Sequence, residues 1–451
     1  MTERRWLGVI FSLYIFFGLG YSLLLPAWEG PDEHAHYHLA LWLARRGRYP
    51  PSTQNYETDQ PRLYYWLASQ PLRLLNSRDP KLVDFYLPRE RYYRNIGKPV
   101  RIFNWTDENY RFIWGLQLLR WLNLGLGAVG LALVYRGARI FFPEQPSIAL
   151  TATALAGLLP QFLHIAATVS NEALAFLAGA VLFWSAGLAW QGRLSGWLAL
   201  LAIPAALLLP AVTKITALPA GLLLLAVLLV RLRSAARHQT VTQSRDRFRR
   251  VLGGGLAAGA ILCAAAFLLA PASFKYLVGE IQWRGLSFHP QAFQLEYLWP
   301  VAAQTVWSYW GKVGWLAVGL PPPAVIFLSA AAVAGGLSSL ARILLPARGR
   351  QPAPPGEASP ERLASLLLWI GAGLALVIVA KNGLTTPRNQ GRFLFPANGM
   401  LLSLVASGWQ LLAPRRLEPF ILPMTVGLLS ALNLLLWFSG VIPVYYQPFL
   451  E

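Results

Sequence analysis

Apolar stretches about as long as a lipid bilayer is thick recur along this chain and most constrain its fold. A hydrocarbon core of about 30 Å requires roughly 20 consecutive apolar residues in an α-helix. Stretches near that length alternate with polar or charged segments. They are residues 6–25, 112–135, 147–167, 170–190, 195–212, 215–231, 251–270, 316–341, 363–380, 393–413 and 417–440. The sequence therefore predicts an all-α polytopic membrane protein with about eleven transmembrane helices.

The composition agrees with a membrane protein. Charged residues are 13% of the chain, whereas a soluble domain has about 25%. The 18 Trp and 17 Tyr suit aromatic belts at two membrane interfaces. The net charge of +19 is typical of basic cytoplasmic loops, so we predict membrane lipids and no nucleic acid as partners. The single cysteine, Cys263, excludes a disulfide framework within the chain.

The distribution of arginine predicts the orientation. If the N-terminus is cytoplasmic, the basic segments 1–5, 136–146, 232–250, 342–362 and 414–416 all fall inside, as the positive-inside rule requires. The long segment 29–111 is close to charge balance and falls outside. Residues 6–25 are long for a signal peptide and no small-residue cleavage site follows, so we expect an uncleaved first span. Any active face is then extracytoplasmic.

The segment E-G-P-D-E-H-A-H-Y-H at 29–38 directly follows the first predicted span. Pro31 with neighbouring acidic residues predicts the start of a helix, and Gly47 predicts its end. We expect a short amphipathic helix at the outer membrane surface, with Asp32 and Glu33 at its N-terminus. A carboxylate at this boundary can act as a general base toward a hydroxyl or an amine. The alternative is that these carboxylates only cap the helix.

Three of the six histidines fall in this segment. His34 and His38 share a helix face, as zinc ligands at i and i+4 do. A divalent metal ion is one possibility, with Asp32, Glu33 and His36 as its ligands. The alternative is a polar surface or a contact with phosphate.

Several further polar residues are predicted at the outer edge of the membrane, on the same side as Asp32. Ionisable groups at such positions are costly and usually functional. Cations there can neutralise charge on a departing phosphate. The alternative is interfacial snorkelling and ion pairing. These residues are Glu172, Lys214, Lys312, Arg388 and Arg392.

Four sequence elements occur in a fixed order between residues 31 and 396. The first two are Pro-Asp-Glu at 31–33 with His36 and Tyr37, and Q-P-R-L-Y-Y at 60–65. The others are L-P-Q at 159–161 followed by S-N-E-A-L at 170–174, and Q-G-R-F-L-F-P at 390–396. Together they resemble the GT-C superfamily of polytopic glycosyltransferases, most closely its bacterial, family 39-like branch known by domain of unknown function 2142. Two departures, Arg62 for a proline and Glu172 for an aspartate, leave the acceptor site open.

The resemblance implies a GT-C-like catalytic module over residues 1–270 and a variable C-terminal module over 271–451. It also implies a polyprenyl-phosphate-linked sugar donor at the outer leaflet of a bacterial inner membrane. Asp32 matches the position of the base, with Glu33 beside it. From their charge and their predicted side of the membrane, we predict that Lys214, Arg388 and Arg392 hold the donor phosphate. The remaining predicted substrate-binding residues are His34, His36, Tyr37, Arg62, Tyr64, Tyr65, Asn171, Glu172, Lys312 and Gln390.

The predicted function is an inverting membrane glycosyltransferase whose acceptor, a glycan, a lipid or a protein, is left open. Aromatic residues in segment 50–111 are either stacking faces for the sugar or an interfacial belt. The rival hypothesis is a secondary transporter or flippase-like protein of lipid-linked sugars. A transporter requires discontinuous helices at midplane and an internal repeat. Pro204, Pro210 and Pro219 interrupt predicted spans, but we find no repeat.

Overall fold

The protein is mostly helical in the part of the chain that the structure describes. The computed structural model describes residues 1–51, 53–78, 110–194, 197–238, 254, 257, 287–344, 360–387 and 389–446. The first helices are α1 Glu3–Leu24, α2 Glu33–Arg46, α3 Leu63–Leu74, α4 Tyr110–Phe141, α5 Pro146–Leu158, α6 Pro160–Ala166, α7 Glu172–Trp190, α8 Trp197–Val212 and α9 Leu218–His238. The later elements are α10 Leu295–Trp310, the antiparallel strands β1 Lys312–Val313 and β2 Val318–Gly319, α11 Pro322–Leu344, α12 Pro360–Thr385, α13 Asn398–Leu412, α14 Glu418–Leu436 and α15 Ile442–Tyr445. Short 3₁₀ segments occur at Tyr56–Asp59, Ile215–Ala217 and Gly391–Ala397, and a π segment at Trp437–Val441.

Helices long and apolar enough to cross a bilayer number six within the described residues. The helix pair α5 and α6, bent by 59°, adds a seventh if it is counted as one span. These helices make the chain a multi-pass membrane protein. The six are Glu3–Leu24, Tyr110–Phe141, Glu172–Trp190, Pro322–Ala341, Glu361–Thr385 and Glu418–Tyr445.

The predicted count of eleven spans is not confirmed. Of the stretch 251–270 the structure describes only Gly254 and Ala257, and the two stretches before it form the short apolar helices Leu201–Val212 and Ile215–Arg231. The stretch 393–413 begins as 3₁₀ helix and continues as the 15-residue helix α13. A 15-residue helix is about 22 Å long, which is shorter than the roughly 30 Å hydrocarbon core that a full span crosses.

Proline explains the break in the predicted span 147–167. Leu159 precedes Pro160 and has the extended-type angles φ −59° and ψ 119°. The proline ring clashes with an α-helical conformation of the preceding residue. Helix α5 therefore ends before this dipeptide, and α6 begins in a new direction with Pro160 at its first position. The backbone N–H that proline lacks would make no intrahelical hydrogen bond at this position.

Helices α4 and α7 pack closely on each other. Gly130 of α4 faces Phe176 of α7, and a Cβ at Gly130 would lie 2.5 Å from that ring. A small residue lets two membrane helices approach closely. The G-L-G-A-V-G segment at 125–130 is thus a packing surface inside a helix.

Helices α2 and α3 form a layer against the N-terminal end of α4. Leu39 and Leu43 of α2 are buried, as is Leu72 of α3. The rings of Trp28 and Phe112 lie 5.1 Å apart at the junction. The protein therefore buries more faces of α2 than it would bury of the predicted amphipathic helix lying on a membrane surface.

Several predictions fall outside the described residues. They concern most of the basic segment 232–250, the linker 351–359, the boundary between the two modules at 270 and the aromatic residues Tyr92, Tyr93 and Trp105.

Candidate active site

Asp32 occupies a strained position at the start of α2. It is the N-cap residue, but its backbone is left-handed, with φ 59° and ψ 10°, and its side chain makes no capping hydrogen bond. A left-handed non-glycine residue costs roughly 1–3 kcal/mol and persists only where its surroundings impose it. The Asp32 side chain is 28% exposed. This carboxylate therefore points away from its own helix end.

Arg392 faces Asp32 from a segment 360 residues later in the chain. Its Nη2 donates to Asp32 Oδ2 at 3.4 Å. The preceding residue, Gly391, packs so closely on α10 that a Cβ would overlap the Tyr309 side chain and the Thr305 carbonyl. Glycine at this position thus lets the segment approach the helix and turn Arg392 inward.

A second carboxylate and a lysine complete the charged cluster. Glu172, the first residue of α7, is 2% exposed and accepts from Lys214 Nζ at 2.7 Å. Arg392 Nε lies 3.4 Å from the same Oε1 atom. Among the described residues, neither Arg392 Nε nor Glu172 Oε2 has a hydrogen-bond partner. The Arg392 Nε–H group can therefore still donate a hydrogen bond to a ligand.

Asn171 links this cluster to the first outer segment. Its Oδ1 accepts from Lys214 Nζ at 3.3 Å, and its Nδ2 donates to Gln60 Oε1 at 3.2 Å. Asn123 fixes the same loop by donating to the carbonyls of Thr168 and Ser170 at 2.6 and 3.0 Å. The elements at 60–65, 170–174 and 390–396 therefore meet around the N-terminus of α2.

Glu33 points the opposite way from Asp32 and is fully buried. Arg120, in the middle of α4, donates from Nε and Nη2 to the two Glu33 oxygens at 2.9 and 2.7 Å. The three remaining N–H groups of Arg120 donate to the carbonyls of Ser22, Leu25 and Pro26 at the end of α1. The Glu33 oxygens also accept hydrogen bonds from the backbone N–H groups of Trp28 and Val169.

Three buried polar side chains, those of His36, Tyr65 and Glu57, lie beside the charged cluster. His36 Nδ1 and Tyr65 Oη are 2.8 Å apart, and Tyr65 donates to Glu57 Oε2 at 3.4 Å. Burial raises the pKa of Glu57 to about 7, and the charge of Asp32 adds to this effect. Burial lowers the pKa of His36 to about 3, so this imidazole is neutral at neutral pH.

The raised pKa of Glu57 predicts how stability depends on pH. Folded protein holds the Glu57 proton up to about pH 7, whereas an unfolded chain loses it near 4.5. The unfolded state therefore binds fewer protons in this window, so stability falls as pH rises, by about 3 kcal/mol in total. We expect Glu57→Gln to remove this loss, which thermal unfolding in detergent from pH 4.5 to 8 measures. Equal pH slopes for variant and wild type would contradict the assignment.

Other predicted residues take different positions. The Arg62 guanidinium lies 4.4 Å above the ring of Tyr49. Tyr37 is buried and its hydroxyl lies 2.8 Å from Ser77 Oγ. Tyr64 is buried beside His36, with ring centroids 6.3 Å apart.

The hairpin of β1 and β2 holds Lys312 near α6. The Lys312 backbone N–H donates to Gln161 Oε1 at 2.5 Å, and burial lowers the pKa of its ammonium. The His34 ring is 6.2 Å from that of Trp315 in the same hairpin. Gln390 Oε1 is buried without a partner among the described residues. Arg388 lies outside them.

The residues that are present do not fit a metal site. No group of three or more His, Cys, Asp or Glu in the described part of the chain could hold a metal ion. Glu33 faces Arg120, and His36 faces Tyr65, so these two ligands of the predicted set point away from Asp32. We therefore derive no chemistry through a metal.

Two residues of this region escaped the sequence predictions. Arg120 lies inside a predicted span, and an intramembrane arginine is itself an indication of a functional or structural partner. Glu57 gave no comparable indication, because its importance depends on burial beside Asp32 and Tyr65. Gln60 was part of a predicted element, but its contact with Asn171 follows from the fold alone.

No protein-family model and no curated protein matches the chain. Among solved structures, it is similar to the archaeal oligosaccharyltransferase AglB from Archaeoglobus fulgidus in complex with an inhibitory peptide and a dolichol-phosphate. That similarity has 12% identity and a TM-score of 0.47, and it covers 99% of this chain and 56% of AglB. The chain is also similar to ArnT from Cupriavidus metallidurans bound to undecaprenyl phosphate, with 13% identity, a TM-score of 0.47, and coverage of 99% and 75%.

A second structure of the Archaeoglobus fulgidus oligosaccharyltransferase, tethered to an acceptor peptide, gives 13% identity and a TM-score of 0.42. It is covered over 55% of its length, so this chain spans about half of the oligosaccharyltransferase. We base the proposed function on this chain's own residues.

Proposed function

We propose that the protein is a GT-C-type membrane glycosyltransferase that transfers a sugar from a polyprenyl-phosphate-linked donor at the extracytoplasmic face. The observation that supports this best is the Asp32 carboxylate, held in a left-handed backbone conformation 3.4 Å from Arg392. Beside it lie a second carboxylate, Glu172, and a second cation, Lys214. A base next to two cations suits transfer from a phosphate-bearing donor.

In this mechanism Asp32 is the general base. It removes the proton from the acceptor hydroxyl or amine as the acceptor atom forms a bond to the anomeric carbon. The bond from that carbon to the phosphate oxygen breaks at the same time, and the electron pair leaves with polyprenyl phosphate. Attack from the side opposite the leaving group inverts the anomeric configuration. General-base assistance of this kind contributes about 10²- to 10⁴-fold.

Arg392 and Lys214 stabilise the departing phosphate. Arg392 has N–H groups beyond the one that binds Asp32, and Lys214 uses two contacts for Asn171 and Glu172. Charge-assisted hydrogen bonds from these donors are stronger than neutral ones. Glu172 orients both cations. Glu33 has its full set of oxygens engaged by Arg120 and two backbone N–H groups, so we assign it a structural role and Asp32 the proton transfer.

A transfer assay with the purified full chain tests the proposal. The protein in detergent receives radiolabelled polyprenyl-phosphate sugars as donors and a membrane extract as the source of acceptors. We expect release of polyprenyl phosphate and label on an acceptor. If every donor stays intact while one binds, the glycosyltransferase proposal is overturned.

Removal of the lysine tests the phosphate assignment. We expect Lys214→Met to raise the KM for the donor at least tenfold and to weaken inhibition by free polyprenyl phosphate equally, because one charge-assisted hydrogen bond is lost. Lys381→Met is the matched control, since this lysine binds the Ser287 carbonyl and the Phe288 ring instead. Equal effects of the two substitutions would contradict the assignment.

The bend between α5 and α6 favours a second candidate, a transporter of lipid-linked sugars. Transporters use discontinuous helices around a substrate site, and this pair is bent by 59°. Gln161 and His164 on α6 bind backbone N–H groups of the hairpin, at Lys312 and Gly314. Flux of a lipid-linked sugar across proteoliposomes without any transfer product would favour this candidate.

A further inference from the structure

A cavity of about 600 Å³ lies beside the N-terminal half of α10 and does not include any residue of the charged cluster. Its volume is within the range of roughly 300–1,000 Å³ typical of small-molecule sites. It is lined chiefly by Gln291, Gln294, Glu296, Tyr297, Gln304 and Pro387.

The lining indicates the chemistry of the ligand. The three glutamine amides each donate and accept hydrogen bonds, as the hydroxyl groups of a sugar do. No Lys or Arg is among the described lining residues, and Glu296 contributes a negative charge. The described lining therefore suits a neutral polyhydroxylated molecule, whereas the cations Arg392 and Lys214 suit a phosphate.

The floor of the cavity is held in place. Tyr297 is 8% exposed, and its hydroxyl donates to the Gly383 carbonyl at 2.8 Å. The ring of His289 stacks on that of Tyr297 at 4.4 Å between centroids and 16° between planes. A cavity wall that is already fixed in this way needs little reorganisation on binding.

The cavity is connected to the charged cluster through one short segment. Gln304 Nε2 donates to the Asn389 carbonyl at 3.0 Å, and the Asn389 side chain binds Asn382 and Thr305 at 2.7 and 3.0 Å. Pro387 lines the cavity, and Arg392 is five residues further. Five residues span at most about 18 Å, which is the reach of a short oligosaccharide.

Two exposed aromatic residues are close in sequence to the residues that line the cavity. Phe293 and Trp299 are 75% and 71% exposed. Tryptophan is enriched at the membrane–water interface, where the head group of a lipid-linked saccharide lies.

We propose that this cavity binds neutral sugar residues of the saccharide that reacts at the Asp32 cluster, an inference that rests on the proposed function. The sugar residues belong either to the donor or to the acceptor. Gln291, Gln294 and Gln304 bind their hydroxyl groups, and Pro300 and Pro387 provide apolar surface.

The test is saturation-transfer NMR on the detergent-solubilised full chain. The probes are neutral trisaccharides of glucose, mannose, galactose and N-acetylglucosamine. We expect at least one to bind, Gln294→Ala to weaken that binding about tenfold, and Gln191→Ala, an exposed glutamine at the end of α7, to leave it unchanged.

The outcomes separate this inference from the proposed function. Binding that Gln294→Ala weakens supports the cavity even if no transfer is detected. Failure of all four trisaccharides to bind, or binding that Gln294→Ala leaves unchanged, overturns the cavity even if transfer occurs. In the transfer assay, a raised KM for the donor alone in Gln294→Ala assigns the sugars to the donor, and a raised KM for the acceptor alone assigns them to the acceptor.

Discussion

Asp32→Asn is expected to abolish sugar transfer while leaving the protein folded. The amide cannot accept the acceptor's proton, so the rate should fall by about 10²- to 10⁴-fold. The side chain is 28% exposed and makes no capping bond, so its own helix does not depend on the charge. Asparagine also tolerates the left-handed conformation that this position requires. The transfer assay measures the rate, and the thermal midpoint in detergent reports folding.

The matched control is Asp59→Asn, an exposed aspartate in the 3₁₀ segment Tyr56–Asp59 of the same outer region. Its transfer rate should equal that of wild type. Undiminished transfer by Asp32→Asn would exclude Asp32 as the base. A donor that still binds to Asp32→Asn without reacting would agree with the assignment, because Arg392 and Lys214 remain.

Arg120→Met is expected to cause the largest loss of stability among the substitutions considered. Arg120 and Glu33 are 1% and 0% exposed. Removal of one partner of a buried ion pair costs about 3–5 kcal/mol, because the other charge stays buried without compensation. The carbonyls of Ser22, Leu25 and Pro26 also lose the hydrogen bonds that Arg120 donates to them. The free energy of unfolding in mixed micelles measures the loss.

An exposed ion pair in the same chain gives the control. Arg139 and Glu3 lie 2.8 Å apart but are 30% and 35% exposed, so Arg139→Met should cost less than about 1 kcal/mol. In addition, Glu33→Gln combined with Arg120→Met should restore part of the loss, since no unpaired charge remains. A similar cost for Arg120→Met and Arg139→Met would contradict a structural role for the buried pair.

The two predictions are linked because adjacent carboxylates face opposite directions. Glu33 binds Arg120 inside the bundle, and this contact fixes the first turn of α2. Asp32, one residue earlier, is then turned outward toward Arg392. We infer that the buried pair compensates the backbone strain at Asp32. The loss of Arg120 should therefore lower transfer as well as stability.

Much of the membrane architecture could be predicted from apolar length alone. Residues 6–25 and 417–440 correspond to the long helices Glu3–Leu24 and Glu418–Tyr445. The stretches 147–167, 195–212 and 215–231 were counted as full spans, although in the structure the first bends at Pro160 and the other two form shorter helices. Hydropathy reports how apolar a segment is, whereas the geometry at Pro160 depends on the conformation of the residue before it.

The sequence by itself determined that the chain crosses a membrane several times, because this follows from local composition. It also drew attention to Asp32, Glu172, Lys214 and Arg392, but it could not distinguish Asp32 from Glu33. Only the tertiary structure decided that Glu33 pairs with Arg120 and Asp32 with Arg392, 87 and 360 residues away. Contacts of that separation are set by how helices pack, and neighbouring residues on one helix end face different partners for that reason.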